Sequence, residues 1–345
     1  MPAALALSVI ALAAMVAGCP CIRVPVNASP ALRWWLFSNF GAQRICPEML
    51  KRGLPLRTQD RAPAVGRFFP AQCGVDIDGD RQVVTVHFSG TGYAFTTLTR
   101  RVGFSCTASV EYRMDFWLGE EDIYVWGQVN RIVNGPSFRL GYVENPLADA
   151  ATAATPLGTV ANLFGNQIAA GELTRGFTVV RNEPRGDSFA LGVIQPPQRP
   201  ITPFDVSGSE SLTYANETVE VHGNARDYLG PFEIVDEDQR LQLKLYLEGP
   251  AVDVLVVDRR TGDAWREDYQ TGRPLGPPPG PVWAGAPLVS GRGEQRASYR
   301  LPVGQYYVVI DNTQYAGTMN PPFQPLNPLS DPMAKLSYVA QLGEE

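Results

Sequence analysis

Residues Val83 to Phe95 read "VVTVHFSGTGYAF". Val84, Val86 and Phe88 alternate with Val83, Thr85 and His87, the period of two expected of a strand whose successive side chains point to opposite faces. The same period continues in "GFSCTASVEYRMDFWL" (103–118) and "IYVWGQVNRI" (123–132), which predicts an antiparallel sheet. Composition agrees: 33 glycines and 30 prolines in 345 residues break the chain too often for a helical bundle. With 44% hydrophobic and 19% charged residues the chain has enough apolar material to fold, and its length suits two domains. A net charge of −6 offers no basic field, which argues against a nucleic-acid partner.

The predicted class is mainly β: an N-terminal α+β domain (31–200) of antiparallel sheet with one amphipathic helix, followed by a C-terminal β-sandwich (211–345). The helix is expected where Thr155 and Pro156 supply a cap and a first-turn proline, with Leu157, Val160, Ala161, Phe164 and Ile168 at spacings of three and four. "GFTVV" and "SFALGVI" then flank the turn-rich "RNEPRGD" as a hairpin. Over residues 65 to 200 this layout resembles the tubular lipid-binding domains of the TULIP group. "QPPQRPITPFDVSGSES" (195–211) carries four prolines between Pro196 and Pro203, which places a linker at 201–210. Beyond it, "LQLKLYLEG", "AVDVLVVDRRTGDAW", "LPVGQYYVVIDNT" and "AKLSYVAQL" read as strands, with Thr261-Gly262-Asp263 as a turn. "LPVGQYYVVIDN" in particular resembles exported β-sandwiches of the bacterial pre-peptidase C-terminal type and GOLD-type sandwiches, which implies an accessory role in binding or tethering.

At the other end, Ala3 to Val16 is an apolar run of 14 residues, too short at 1.5 Å per residue to cross a ~30 Å hydrocarbon core but suited to a signal peptide. Val16-Ala17-Gly18-Cys19 resembles the lipobox of bacterial lipoproteins. That resemblance implies a signal peptide over 1–18, acylation of Cys19, a tether over 19–30 and the membrane as partner through acyl chains. It implies a place in the bacterial cell envelope, with Pro20 after the cysteine favouring the outer membrane. No lysine or arginine precedes the apolar run, so either the true start lies upstream or export is inefficient. Leu32, Trp35, Leu36 and Phe40 recur near helical spacing and are expected to pack on the first domain.

Export turns Cys21, Cys46, Cys73 and Cys106 into disulfide candidates with three possible pairings. A Cys46 to Cys73 bridge would close a glycine- and proline-rich loop and contribute about 3 kcal/mol. Thiolate metal binding is disfavoured, because the chain has no C-x-x-C pair and only His87 and His222. Asp76, Asp78 and Asp80 in "DIDGD" alternate as calcium ligands do, but Arg81 and His87 stand where an EF-hand needs glycine and glutamate. A hairpin turn about Gly79 is the preferred reading. "VDEDQ" (235–239) reads as a solvated acidic loop, and His87 as a surface or partly buried sheet residue.

No nucleophile elbow, zinc-protease motif or Walker loop occurs. The expectation is a lipid-anchored envelope protein without enzymatic activity or cofactor, serving as a binding or scaffold module for proteins or glycans. Two alternatives stand beside it: a carrier of a lipid or other hydrophobic ligand in the N-terminal domain, and an exported hydrolase using carboxylates.

Overall fold

In a computed structural model describing residues 20–58, 62–96, 99–145, 175–182, 188–206, 211–319 and 332–344, the alternating stretch is one strand of a long meander. Strands β1 (Leu54–Arg57), β2 (Ala64–Asp78), β3 (Val83–Thr96), β4 (Arg100–Leu118), β5 (Asp122–Val143), β6 (Phe177–Asn182) and β7 (Ser188–Leu191) each pair antiparallel with the next. The protein is mainly β, as the period of two predicts. The expected helix around Leu157 to Ile168 lies outside the described residues, as do Cys19 and the apolar run before it.

One face of the meander is apolar and buried: Val84, Val86 and Phe88 on β3, then Cys106, Ala108, Val110 and Tyr112 on β4. Short helices cover it. Helix α1 (Pro20–Ala28) inserts Val26, and after α2 (Pro30–Leu36) a π-turn (Phe37–Gly41) inserts Phe37; α3 (Ile45–Met49) follows. Ser29 caps α2 by accepting a hydrogen bond from the Leu32 amide at 3.2 Å. Leu32 and Leu36 pack as expected, but Trp35 and Phe40 stay 54% and 38% exposed. Residues 19–30, expected to be a tether, contain α1 instead. Burial of Val26 and the side chain of Asn27, whose Nδ2 donates to the Leu118 carbonyl at 2.8 Å and whose Oδ1 accepts from the Leu118 amide at 3.0 Å, hold it against β4.

A disulfide joins Cys46 to Cys73, with Cα atoms 5.3 Å apart, and so staples α3 to β2. Closing a 27-residue separation stabilises the fold by about 3 to 4 kcal/mol in the chain-entropy treatment. Cys106, also expected in a disulfide, is instead a free thiol buried on the core face of β4, and burial pushes its pKa up to about 12. Its reactivity is correspondingly low. The Cys21 side chain lies outside the described residues.

The second half forms a sandwich. Strands β8 (Leu212–Val221), β10 (Arg240–Glu248), β13 (Gln295–Arg300) and β15 (Ala334–Gly343) form one layer in the order β13-β10-β15-β8. Facing it are β9 (Ala225–Ile234), β11 (Val252–Asp258), β12 (Val282–Leu288) and β14 (Gly304–Asn312), in the order β12-β11-β14-β9. Leu241, Leu243, Leu245 and Leu247 from β10 meet Val254, Val256, Val308 and Ile310 in a shared core. Strand β8 also pairs with β2, in parallel, at Ala64 and Val219, so the first layer continues directly into the meander as one sheet.

Thr261-Gly262-Asp263, expected as a turn between strands, instead lies in the first turns of helix α4 (Arg259–Gln270). Asp258 caps it, accepting from the Thr261 amide at 2.7 Å, and Thr261, Gly262, Trp265 and Tyr269 form its buried stripe. Alternation in "AVDVLVV" hid the change of period two residues later. The helix packs on the outer face of β11 and β14 and also reaches the meander: a Cβ on Gly103 of β4 would lie 1.7 Å from the Gln270 carbonyl oxygen. No side chain fits between them.

At this seam sits Arg67 of β2, 2% exposed. Its Nε donates to Asp227 of β9 at 3.0 and 3.1 Å, and its Nη2 to Glu217 of β8 at 3.3 Å and to the Tyr338 hydroxyl of β15 at 3.2 Å. The Tyr93 hydroxyl of β3 donates to the same Asp227 carboxylate and accepts from the Tyr228 amide at 2.8 Å. Burial opposes ionisation of both Arg67 and Glu217, yet the opposite charges keep the arginine pKa well above and the Glu217 pKa below their ordinary values. Four strands from both sheets thus meet at one guanidinium, and β3 joins them through the Tyr93 bond to Asp227. Removing one partner of a buried pair strands the others, so Arg67→Met should lower the unfolding free energy by about 3 to 5 kcal/mol, read from urea midpoints. A loss below about 1 kcal/mol, the level of a surface pair, would contradict this role.

Candidate functional site

The face of the meander opposite the apolar core is polar. Ser105, Thr107, Ser109 and Glu111 alternate with the core residues of β4, and Thr85, His87 and Ser89 do so on β3. Register pairs His87 with Ser109 and Thr85 with Glu111, while Asp76 of β2 lies opposite Thr85. Residues 11 and 22 positions from His87 are thereby brought beside it.

His87 is held at both ring nitrogens. Nδ1 lies 2.7 Å from Ser109 Oγ and Nε2 lies 2.9 Å from Asp76 Oδ2. With the ring neutral and Nε2 carrying the proton, Nε2 donates to the carboxylate and Ser109 donates to Nδ1. This order places a carboxylate, an imidazole and a hydroxyl in line, the order of groups in serine hydrolases. The Ser109 residue is 7% exposed, whereas the Asp76 side chain is 81% exposed, so the acidic end of the line is open to solvent.

One row away, Glu111 is almost fully covered by its own partners. Arg81 grips its two oxygens at 2.9 Å each, Arg131 Nη2 adds a contact at 3.1 Å, and Asn130 Nδ2 donates to Oε1. The Arg81 hydrogen bonds, helped by Asn130 and Arg131, outweigh burial and hold the Glu111 pKa at about 2.

The structure distributes the acidic run among separate tasks. Asp76 serves His87, and Asp78 Oδ1 accepts from the Arg81 amide at 3.0 Å in the hairpin turn about Gly79; Asp80 lies exposed in the same turn. Among the described residues no three of His, Cys, Asp and Glu gather closely enough to hold a metal ion. The acidic loop after β9 is likewise self-satisfied: Asp236 accepts from the Asp238 and Gln239 amides. His222 is buried at the seam, stacked on Phe95 with ring centroids 3.8 Å apart. Ser109, Glu111, Asn130 and Arg131 were missed by sequence reasoning. Their shared parity on β4 and β5 was visible, but the register that joins the strands was not.

Because the folded Glu111 pKa is depressed, its contribution is fully present above the ordinary carboxylate range and is lost as pH falls towards the folded value of about 2. Urea midpoints measured between neutral pH and pH near 3 should therefore fall less steeply in Glu111→Gln than in wild type. Parallel profiles would contradict the assignment. No protein-family model matches the chain, and no curated protein matches it in sequence.

Proposed function

We propose that this chain is an exported, lipid-anchored protein of the bacterial cell envelope that serves as a non-enzymatic binding or scaffold module, and that it meets its partner with the polar face of the meander. The observation carrying this reading is the preset geometry of that face. His87 is fixed at both nitrogens and Glu111 by three donors, so their orientations are settled before any partner arrives. A broad sheet face with fixed donors and acceptors of both signs suits a glycan or a protein surface better than a small molecule in a cleft. The Cys46 to Cys73 disulfide accords with an oxidising compartment outside the cytosol.

Carriage of a hydrophobic ligand has less support. The apolar face of the meander is occupied by the protein's own Val26, Phe37 and Ala42. A hydrolase is favoured by one observation, the line from Asp76 through His87 to Ser109, in which the hydroxyl would be the nucleophile.

One pair of measurements separates these readings. For the binding module, partners captured from envelope extracts or on a glycan array by wild type should be lost with Arg81→Glu and Arg131→Glu and retained with Ser109→Ala, because the charged pair forms the face while the hydroxyl is not consumed. Capture unaffected by both charge reversals would overturn the proposal. Covalent labelling of Ser109 by a fluorophosphonate probe, abolished by His87→Ala, would establish the hydrolase instead.

A further inference from the structure

The N-terminal region holds an exposed apolar surface that the polar face does not explain. Ile22 and Val24 on α1 are 39% and 64% exposed, and Trp117 at the end of β4 is 41% exposed. Val24, Ala28, Trp117 and Leu118 line a shallow open groove with Arg23, Asn27 and the exposed Glu120 at its polar rim. Exposed Trp35 and Phe40, stacked edge to face at 5.9 Å, follow in the same helical layer.

The described chain begins at this surface. Pro20, next to Cys19, is the first residue of α1, and seven residues later Asn27 is clamped to the Leu118 backbone by two hydrogen bonds. Arg33 reinforces the clamp, donating to the Asn27 carbonyl and gripping Asp115 at 2.6 and 3.0 Å. An extended chain from Pro20 to Asn27 would reach about 24 Å, whereas the helix spans only about 10 Å. At less than twice the thickness of a headgroup layer, this length keeps the folded body close to a bilayer that holds Cys19.

We infer that Val24 and Trp117 form a membrane-contact surface that lies in the boundary between headgroups and acyl chains of the bilayer to which Cys19 is anchored. This rests on the lipid-anchor reading above. The chemistry fits the place: indole rings favour the interface and branched aliphatic side chains sink below it, while Arg23, paired with exposed Glu120 at 3.4 Å, stays at the polar rim. The protein is thus held by its acyl chains and oriented by its own surface.

The test uses the acylated protein purified from membranes and reconstituted in phosphatidylcholine–phosphatidylglycerol vesicles, with and without lipid brominated high on the acyl chain. Flotation reports the anchor, and quenching of tryptophan emission reports the contact. Wild type should float and be quenched by the brominated lipid, and Trp117→Phe should float but lose the larger part of that quenching. Floating protein whose emission is the same in both vesicles would overturn the contact surface while leaving the anchor intact. Protein that does not float would overturn the anchor and this inference together.

Discussion

The fold depends on a cation placed where it has almost no water. Arg67 stands between the meander and the sandwich, and its charge is tolerable only because Asp227, Glu217 and Tyr338 converge on it from three other strands. Glu217 and Tyr338 reach it from neighbouring strands of its own sheet, but Asp227 comes from the facing sheet, so the set is complete only when both sheets are in place. Hydrophobic burial would accept several ways of docking a sheet on a sandwich, but a buried ion of this kind accepts very few. Helix α4 closes the same seam from another side, with Gln270 against Gly103 and the Arg101 guanidinium between the rings of Tyr142 and Tyr269 at 4.9 and 4.7 Å.

This junction sets the relation among the surfaces to which function is assigned. The polar face on β2, β3 and β4 and the helices covering the opposite face share the same strands, so α1 and the His87 row are fixed relative to each other. The disulfide between Cys46 and Cys73 ties the helical layer to β2 a second time. On the proposed reading, one side of the sheet settles the body on the bilayer and the other presents fixed polar groups to the periplasmic or external milieu. Rigidity is then part of the function, since a partner recognised by oriented groups gains nothing from a surface that must first be ordered.

Much of this was legible in the sequence, for identifiable reasons. A period of two survives whatever a strand pairs with, so "VVTVHFSGTGYAF" and "LQLKLYLEG" could be assigned without their neighbours. What escaped was set by tertiary partners. Arg67 looks like an ordinary strand arginine until β9 supplies Asp227, and Pro20 to Ala28 looks like a tether until Leu118 offers its backbone to Asn27. Segment Asp258 to Gln270 carried its own signals, an N-cap and aromatic residues four apart at Trp265 and Tyr269, but the apolar strand before it drew the eye to the wrong period. The alignment of Asp76, His87 and Ser109 requires register across three strands, which no single-chain pattern encodes.

The central physical claim is that the meander and the sandwich form one cooperative body keyed at Arg67. Differential scanning calorimetry of the disulfide-intact protein tests it most directly. One transition whose calorimetric and van't Hoff enthalpies agree, with a ratio of about 1, is the predicted result. Two separable transitions, one for the sheet that ends at β7 and another for the sandwich that begins at β8, would contradict it.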